Sequence, residues 1–92
     1  MQYFRSEAFL KSYHQLSPDR QHRVKTSLGK LNLLFEQNLI PPGLGMKQLS
    51  PGLWEIRAGL QDRVVFARER DTIQFLIVCS HEDVKRFLRQ WR

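Results

Sequence analysis

The sequence predicts an α+β domain in the order strand, helix, helix, three strands, helix. Three observations predict it. Apolar residues recur at helical spacing before Pro41, they alternate with polar ones around Trp54, and they return to helical spacing from Val84 to Trp91. With 92 residues there is room for one core, so a single domain over residues 1–92 is expected. A hydrophobic share of 41% is enough to close that core, which excludes wholesale disorder. No apolar run approaches the roughly 18 residues needed to cross a bilayer. Met1–Arg5 has no apolar run of a secretion signal, so a cytoplasmic protein without membrane partners is expected. Cys79 is the single cysteine, which rules out an intrachain disulfide and a cysteine-based zinc site.

Met1 to Phe4 is short and aromatic, as a first strand would be, and Ser6 follows as a helix N-cap with Glu7 in the first turn. Phe9, Leu10, Tyr13 and Leu16 then make one buried stripe. Ser17-Pro18-Asp19 combines a hydroxyl cap, proline at the first helical position and an acid beside it, which starts a second helix. Val24, Leu28, Leu31 and Phe35 give that helix its inner face. A link of about two residues makes the two an antiparallel hairpin. Pro41-Pro42-Gly43-Leu44-Gly45 ends the helix in a loop.

Trp54, Ile56 and Ala58 alternate with Glu55 and Arg57, which predicts a half-buried strand with the two charged residues on its open face. Gly59 to Asp62 turns the chain into a second strand over Arg63–Arg68, and Glu69-Arg70-Asp71 turns it again. Ile73–Cys79 is apolar at nearly every position, the pattern of an interior strand covered on both faces. Ser80 with Asp83 resembles a capping box, and Val84, Phe87, Leu88 and Trp91 form the inner face of a last helix. The expected architecture is a helical hairpin packed on a mostly antiparallel four-stranded sheet, plus a C-terminal helix.

The chain carries 15 Lys and Arg against 9 Asp and Glu, a net charge of +6. Such a field concentrates polyanions and suits a nucleic acid or an acidic protein. The basic residues are spread along the chain, so any patch has to be assembled by folding.

Three stretches carry a resemblance to a known family: Gly52-Leu53-Trp54-Glu55-Ile56-Arg57-Ala58-Gly59, Asp62-Arg63-Val64-Val65-Phe66 and Phe75-Leu76-Ile77-Val78-Cys79-Ser80-His81. With Phe4-Arg5-Ser6-Glu7-Ala8-Phe9 at the start, they resemble in order and spacing the RelE/ParE superfamily of type II toxin–antitoxin toxins. The resemblance spans essentially the whole chain. It implies two activities on one scaffold, since RelE-like members cut mRNA, many in the ribosomal decoding site, and ParE-like members poison DNA gyrase without nuclease chemistry. A fold shared by both leaves the choice to the site.

The nuclease reaction drives the RNA 2′-hydroxyl onto its neighbouring phosphate. It needs a proton acceptor, a cation for the charged phosphorane and a proton donor for the departing oxygen. No metal or other cofactor is expected. Arg63 stands where the family places a phosphate-contacting arginine, whose planar fork grips two oxygens. The alternative is a strand arginine paired with Asp62 or Glu55. His81 falls where YafQ-like toxins carry a catalytic histidine, and is otherwise a surface residue that starts a helix. Arg57 resembles a basic substrate-holding position and, with Arg63, would clamp phosphate.

Glu55 stands where RelE has a lysine, which removes one positive charge and opens an acid–base role or a simple cross-strand pairing with Arg57. Asp62 is either a ligand that orients Arg63 or His81, or a turn residue. Lys85, Arg86, Arg89 and Arg92 give the last helix a basic outer face that would line an RNA track or complement the helix dipole. Trp91 is expected in the core rather than stacked on a base. Cys79 is expected to pack, and His14 and His22 to be solvated.

The leading expectation is a toxin endoribonuclease, with Arg63 and Arg57 on phosphate and His81 in proton transfer. Its partners would be mRNA, the ribosome and a cognate antitoxin protein. The alternatives are a gyrase inhibitor without chemistry and an inactive relative that keeps only antitoxin binding.

Overall fold

A computed structural model describes residues 1–91. It contains β1 (Gln2–Arg5), α1 (Glu7–His14), α2 (Pro18–Gln37), β2 (Lys47–Ser50), β3 (Leu53–Ala58), β4 (Asp62–Glu69), β5 (Thr72–Ser80) and α3 (His81–Gln90). The strands form one sheet in the order β1-β5-β4-β3-β2, with β1 parallel to β5 and the other pairs antiparallel. The α+β class and the order of the expected elements therefore hold. The strand count is corrected from four to five, because Lys47–Ser50 pairs with β3 through the hairpin at Pro51-Gly52.

The helix starts follow from their caps. The Ser6 hydroxyl accepts from the Phe9 amide at 3.0 Å, Ser17 from Arg20 at 3.4 Å, and Ser80 from Asp83 at 3.1 Å. Each satisfies one of the amides that a helix N-terminus leaves unpaired. Asn38, in the left-handed region, closes α2. The helical stripe of α1 is narrower than its spacing suggests: Phe9 is buried, Leu10 is exposed, and Leu16 lies beyond the helix end.

Two apolar clusters lie on opposite faces of the sheet. On the first face, Ile56, Ala58, Val64, Phe66, Ile73, Phe75 and Val78 pack under α1 and α2 with Phe9, Val24 and Leu31. On the second, Leu53 and Val65 meet Val84 of α3, with Ile77, Cys79, Phe87, Leu88 and Trp91 around them. Trp91 stacks on Phe87 at 6.1 Å, the core role expected of it. The interior strand β5 is thus covered on both faces.

β5 reaches both clusters through a bulge. Val65 pairs with Ile77 but Phe66 pairs with Phe75, so Leu76 is an extra residue. The bulge resets the alternation, sending Val78 to the first face and Ile77 and Cys79 to the second. It occurs where β1 ends at Arg5 opposite Phe75. Two serines take over from the missing strand: the Ser6 hydroxyl donates to the Leu76 carbonyl at 2.8 Å, and the Ser12 hydroxyl accepts from the Val78 amide at 3.0 Å. Buried backbone polar groups need such partners.

Candidate functional site

The second face carries most of the charged residues singled out from the sequence. Strand register sets Arg57 opposite Arg63 and Arg63 opposite Cys79, so the three stand abreast on β3, β4 and β5. His81 follows Cys79 by two residues and opens α3, with its side chain exposed. Like charges directly opposite across two strands repel each other. Holding Arg57 beside Arg63 therefore favours an anion near both.

Glu55 supplies part of that negative charge. Its Oε2 lies 3.3 Å from Arg63 Nε, and the two side chains are only 6% and 11% exposed. The expected half-open strand is corrected at Glu55, which is buried beside Leu53 on the face that α3 packs against, while Arg57 on the same face stays exposed. Arg63 takes Glu55 as its ionic partner, while its Nη1 donates to the Asp62 backbone carbonyl at 3.1 Å. Arg63 Nη2 has no hydrogen-bond partner among the described residues. The Glu55 carboxylate thus holds the guanidinium at Nε and the Asp62 and Gly59 carbonyls hold it at Nη1, the latter at 3.5 Å, which leaves Nη2 as the donor a ligand would meet. Lys47 on β2, opposite Glu55, adds a cation that the sequence reading missed.

Asp62 does not orient Arg63 or His81 through its carboxylate. Its oxygens accept from Arg20 of α2, Oδ2 from Nε at 2.9 Å and Oδ1 from Nη2 at 2.6 Å. Alternation puts Asp62 on the helical face while its neighbour Arg63 takes the other, so the ion pair ties β4 to α2. Arg20 carried no pattern in the sequence that would have marked it, because its partner is 42 residues away.

On α3, Lys85, Arg86 and Arg89 are exposed, and Arg86 pairs with Asp83 at 3.7 Å. Arg92, read with them, lies outside the described residues. His14 and His22 are exposed, as expected. Among the described residues no group of three or more His, Cys, Asp or Glu side chains is placed to hold a metal ion, and no helix is long and apolar enough to cross a membrane.

Cys79 lies beside Arg63 but is chemically quiet. Burial, followed by the carboxylates of Asp83, Glu55 and Asp62, pushes its thiol up to about 11 against a weaker opposing pull from Arg63. At neutral pH the thiolate fraction is then about a hundredfold below that of an ordinary thiol. Iodoacetamide at neutral pH should accordingly modify the folded chain about a hundredfold more slowly than the urea-unfolded chain, measured by mass spectrometry.

No family model matches the sequence, and no curated protein sequence is significantly similar to it. Solved structures do match in fold. RelE in the RelB–RelE antitoxin–toxin complex of Methanococcus jannaschii has a TM-score of 0.67 at 17% identity, covering 91% of this chain and 96% of that one. YafQ of E. coli strain BL21(DE3) gives 0.63 at 14% identity over 89% and 94%. A YoeB/ParE toxin of Agrobacterium tumefaciens gives 0.66 at 11% identity over 88% and 99%. The chain therefore has the fold of the RelE, YafQ and YoeB toxins, over nearly the full length of each.

Proposed function

We propose that this protein is the toxin of a toxin–antitoxin pair, acting in the cytoplasm as an endoribonuclease that cleaves mRNA at the ribosome. The observation that carries this reading is the cross-strand pair Arg57–Arg63, with His81 close in sequence to the residue that Arg63 faces. In the reaction the O2′–P bond forms and the P–O5′ bond breaks, leaving a 2′,3′-cyclic phosphate and a free 5′-hydroxyl. Arg63, positioned by Glu55, and Arg57 neutralise the oxygens of the phosphorane. His81 carries one of the two protons, the one that leaves the 2′-hydroxyl or the one that the departing O5′ gains, and water carries the other. Lys85, Arg86 and Arg89 hold flanking phosphates by charge. An antitoxin would silence the chain by folding over this face. The fold match to RelE and YafQ supports the pairing, since both have been solved with antitoxins, RelB and DinJ.

Inducing the chain in cells without an antitoxin and mapping mRNA 5′ ends tests the reading. New ends inside translated messages are expected, and growth arrest with intact messages would overturn it. The Glu55–Arg63 ion pair favours a second reading, because it lowers the net charge of the row. On that reading the chain is a ParE-like gyrase inhibitor, and induction would yield gyrase-dependent DNA breaks with whole mRNA.

A further inference from the structure

Beyond Glu55 the edge of the sheet is a loop rather than a strand, with the Arg57 amide donating to the Leu44 carbonyl at 3.1 Å. From Arg57 a cleft of about 330 Å³ extends onto α2, lined also by Arg23, Lys30 and Leu60. Two glycines admit the arginines. A Cβ on Gly59 (φ +94°) would come within 2.9 Å of Arg23 Cδ, and one on Gly45 (φ +60°) within 2.9 Å of Arg57 Cβ. Each arginine stem therefore lies against bare backbone at a conformation that other residues rarely adopt.

The three cations lack a counter-charge. Among the described residues none of Arg23, Lys30 and Arg57 forms an ion pair. Asp62 shares an adjoining depression with Arg23, but Arg20 already holds both its oxygens. Lys30 Nζ spends one donor on the Pro42 carbonyl, at 3.2 Å. Three such charges around one cleft repel unless an anion sits among them.

We propose that this cleft is a second phosphate site, which holds the RNA backbone next to the scissile linkage. The proposal rests on the ribonuclease reading above. Single-stranded RNA fits better than an acidic polypeptide because Arg57, at the sheet edge, borders the cleft on the α2 side and stands in the Arg57–Arg63 row on the other, so one flexible strand bending round that edge meets both. The guanidinium forks match phosphate oxygens. Leu60, 95% exposed at the rim, presents an aliphatic surface to a ribose or base.

The test is the binding of a short, fully 2′-O-methylated oligouridylate, which cannot be cut, followed by fluorescence anisotropy over a range of salt. In the double variant Arg23→Gln/Lys30→Gln the affinity should fall about tenfold or more, and the slope of log K against log salt by about 1.4, two single-strand phosphate contacts. The charge-matched variant Lys11→Gln/Lys25→Gln, altered at exposed positions that do not line the cleft, should keep most of the wild-type slope. Equal losses in the two double variants would overturn the site. So would polyglutamate that binds as tightly as the RNA and weakens to the same degree in Arg23→Gln/Lys30→Gln, which would make an acidic polypeptide the occupant. Cleavage of unmodified mRNA on translating ribosomes is scored separately. Cleaving protein with cleft-independent binding overturns the cleft alone, whereas cleft-dependent binding without any cleavage overturns the nuclease reading and leaves the phosphate site standing.

Discussion

Arg63→Gln is expected to lower mRNA cleavage by about two to three orders of magnitude, the range for removing one donor to a charged transition state. The same change should lower stability by about 3 kcal/mol, because it leaves a carboxylate buried without its cation. Glu55 is only 5% exposed, so water cannot take over the role of the guanidinium. Adding Glu55→Gln to Arg63→Gln removes the stranded charge and should recover most of the stability while cleavage stays lost. Urea unfolding of the four proteins, wild type included, gives the coupling between the two residues directly. A coupling near zero would mean that the 3.3 Å pair contributes nothing to the fold. Wild-type cleavage by folded Arg63→Gln would remove the arginine from the mechanism.

His81→Ala is expected to separate chemistry from folding. Proton transfer by a positioned group is worth about 10²–10⁴-fold, so cleavage and growth arrest should fall by that factor. Stability should change by less than about 0.5 kcal/mol, since the side chain is exposed and no hydrogen bond to it is present among the described residues. The cap of α3 is untouched, because it runs from the Asp83 amide to the Ser80 hydroxyl. Antitoxin should still copurify with the variant. Added imidazole should restore part of the cleavage, a response that a purely structural role would not produce. Full toxicity of a soluble His81→Ala protein would leave the arginines without this proton carrier.

Much of the fold was legible because its signals are local. Ser6, Ser17-Pro18 and Ser80 start the three helices wherever they pack, and the Val24, Leu28, Leu31, Phe35 spacing sets the inner face of α2. The edge strand β2 was not legible. Lys47-Gln48-Leu49-Ser50 has one apolar residue, and as an edge strand it needs only a backbone ladder to β3 and a tight turn. Glu55 was misjudged for a related reason: alternation assigns it to the face opposite Ile56, and the packing of α3 then decides that this face is covered.

The candidate site divides the same way. Arg57, Arg63 and His81 stood out through the resemblance to the RelE/ParE toxins, and Lys85, Arg86 and Arg89 by their helical face. Arg20, Arg23, Lys30 and Lys47 did not, since each matters through a neighbour distant in sequence.

By itself the sequence determined the order of every element but β2, the helix starts, the two apolar stripes that bury α2 and α3, and a surplus of positive charge. Caps and periodicities act over a few residues, so they can be read along the chain. Only the tertiary structure decided which charges face one another. That choice depends on strand register, and in an apolar run such as Ile73–Cys79 no side chain marks where the alternation resets. The extra residue Leu76, whose carbonyl accepts from the Ser6 hydroxyl, shifts the alternation so that Cys79 stands opposite Arg63, and Ser12 of α1 holds the Val78 amide just beyond it.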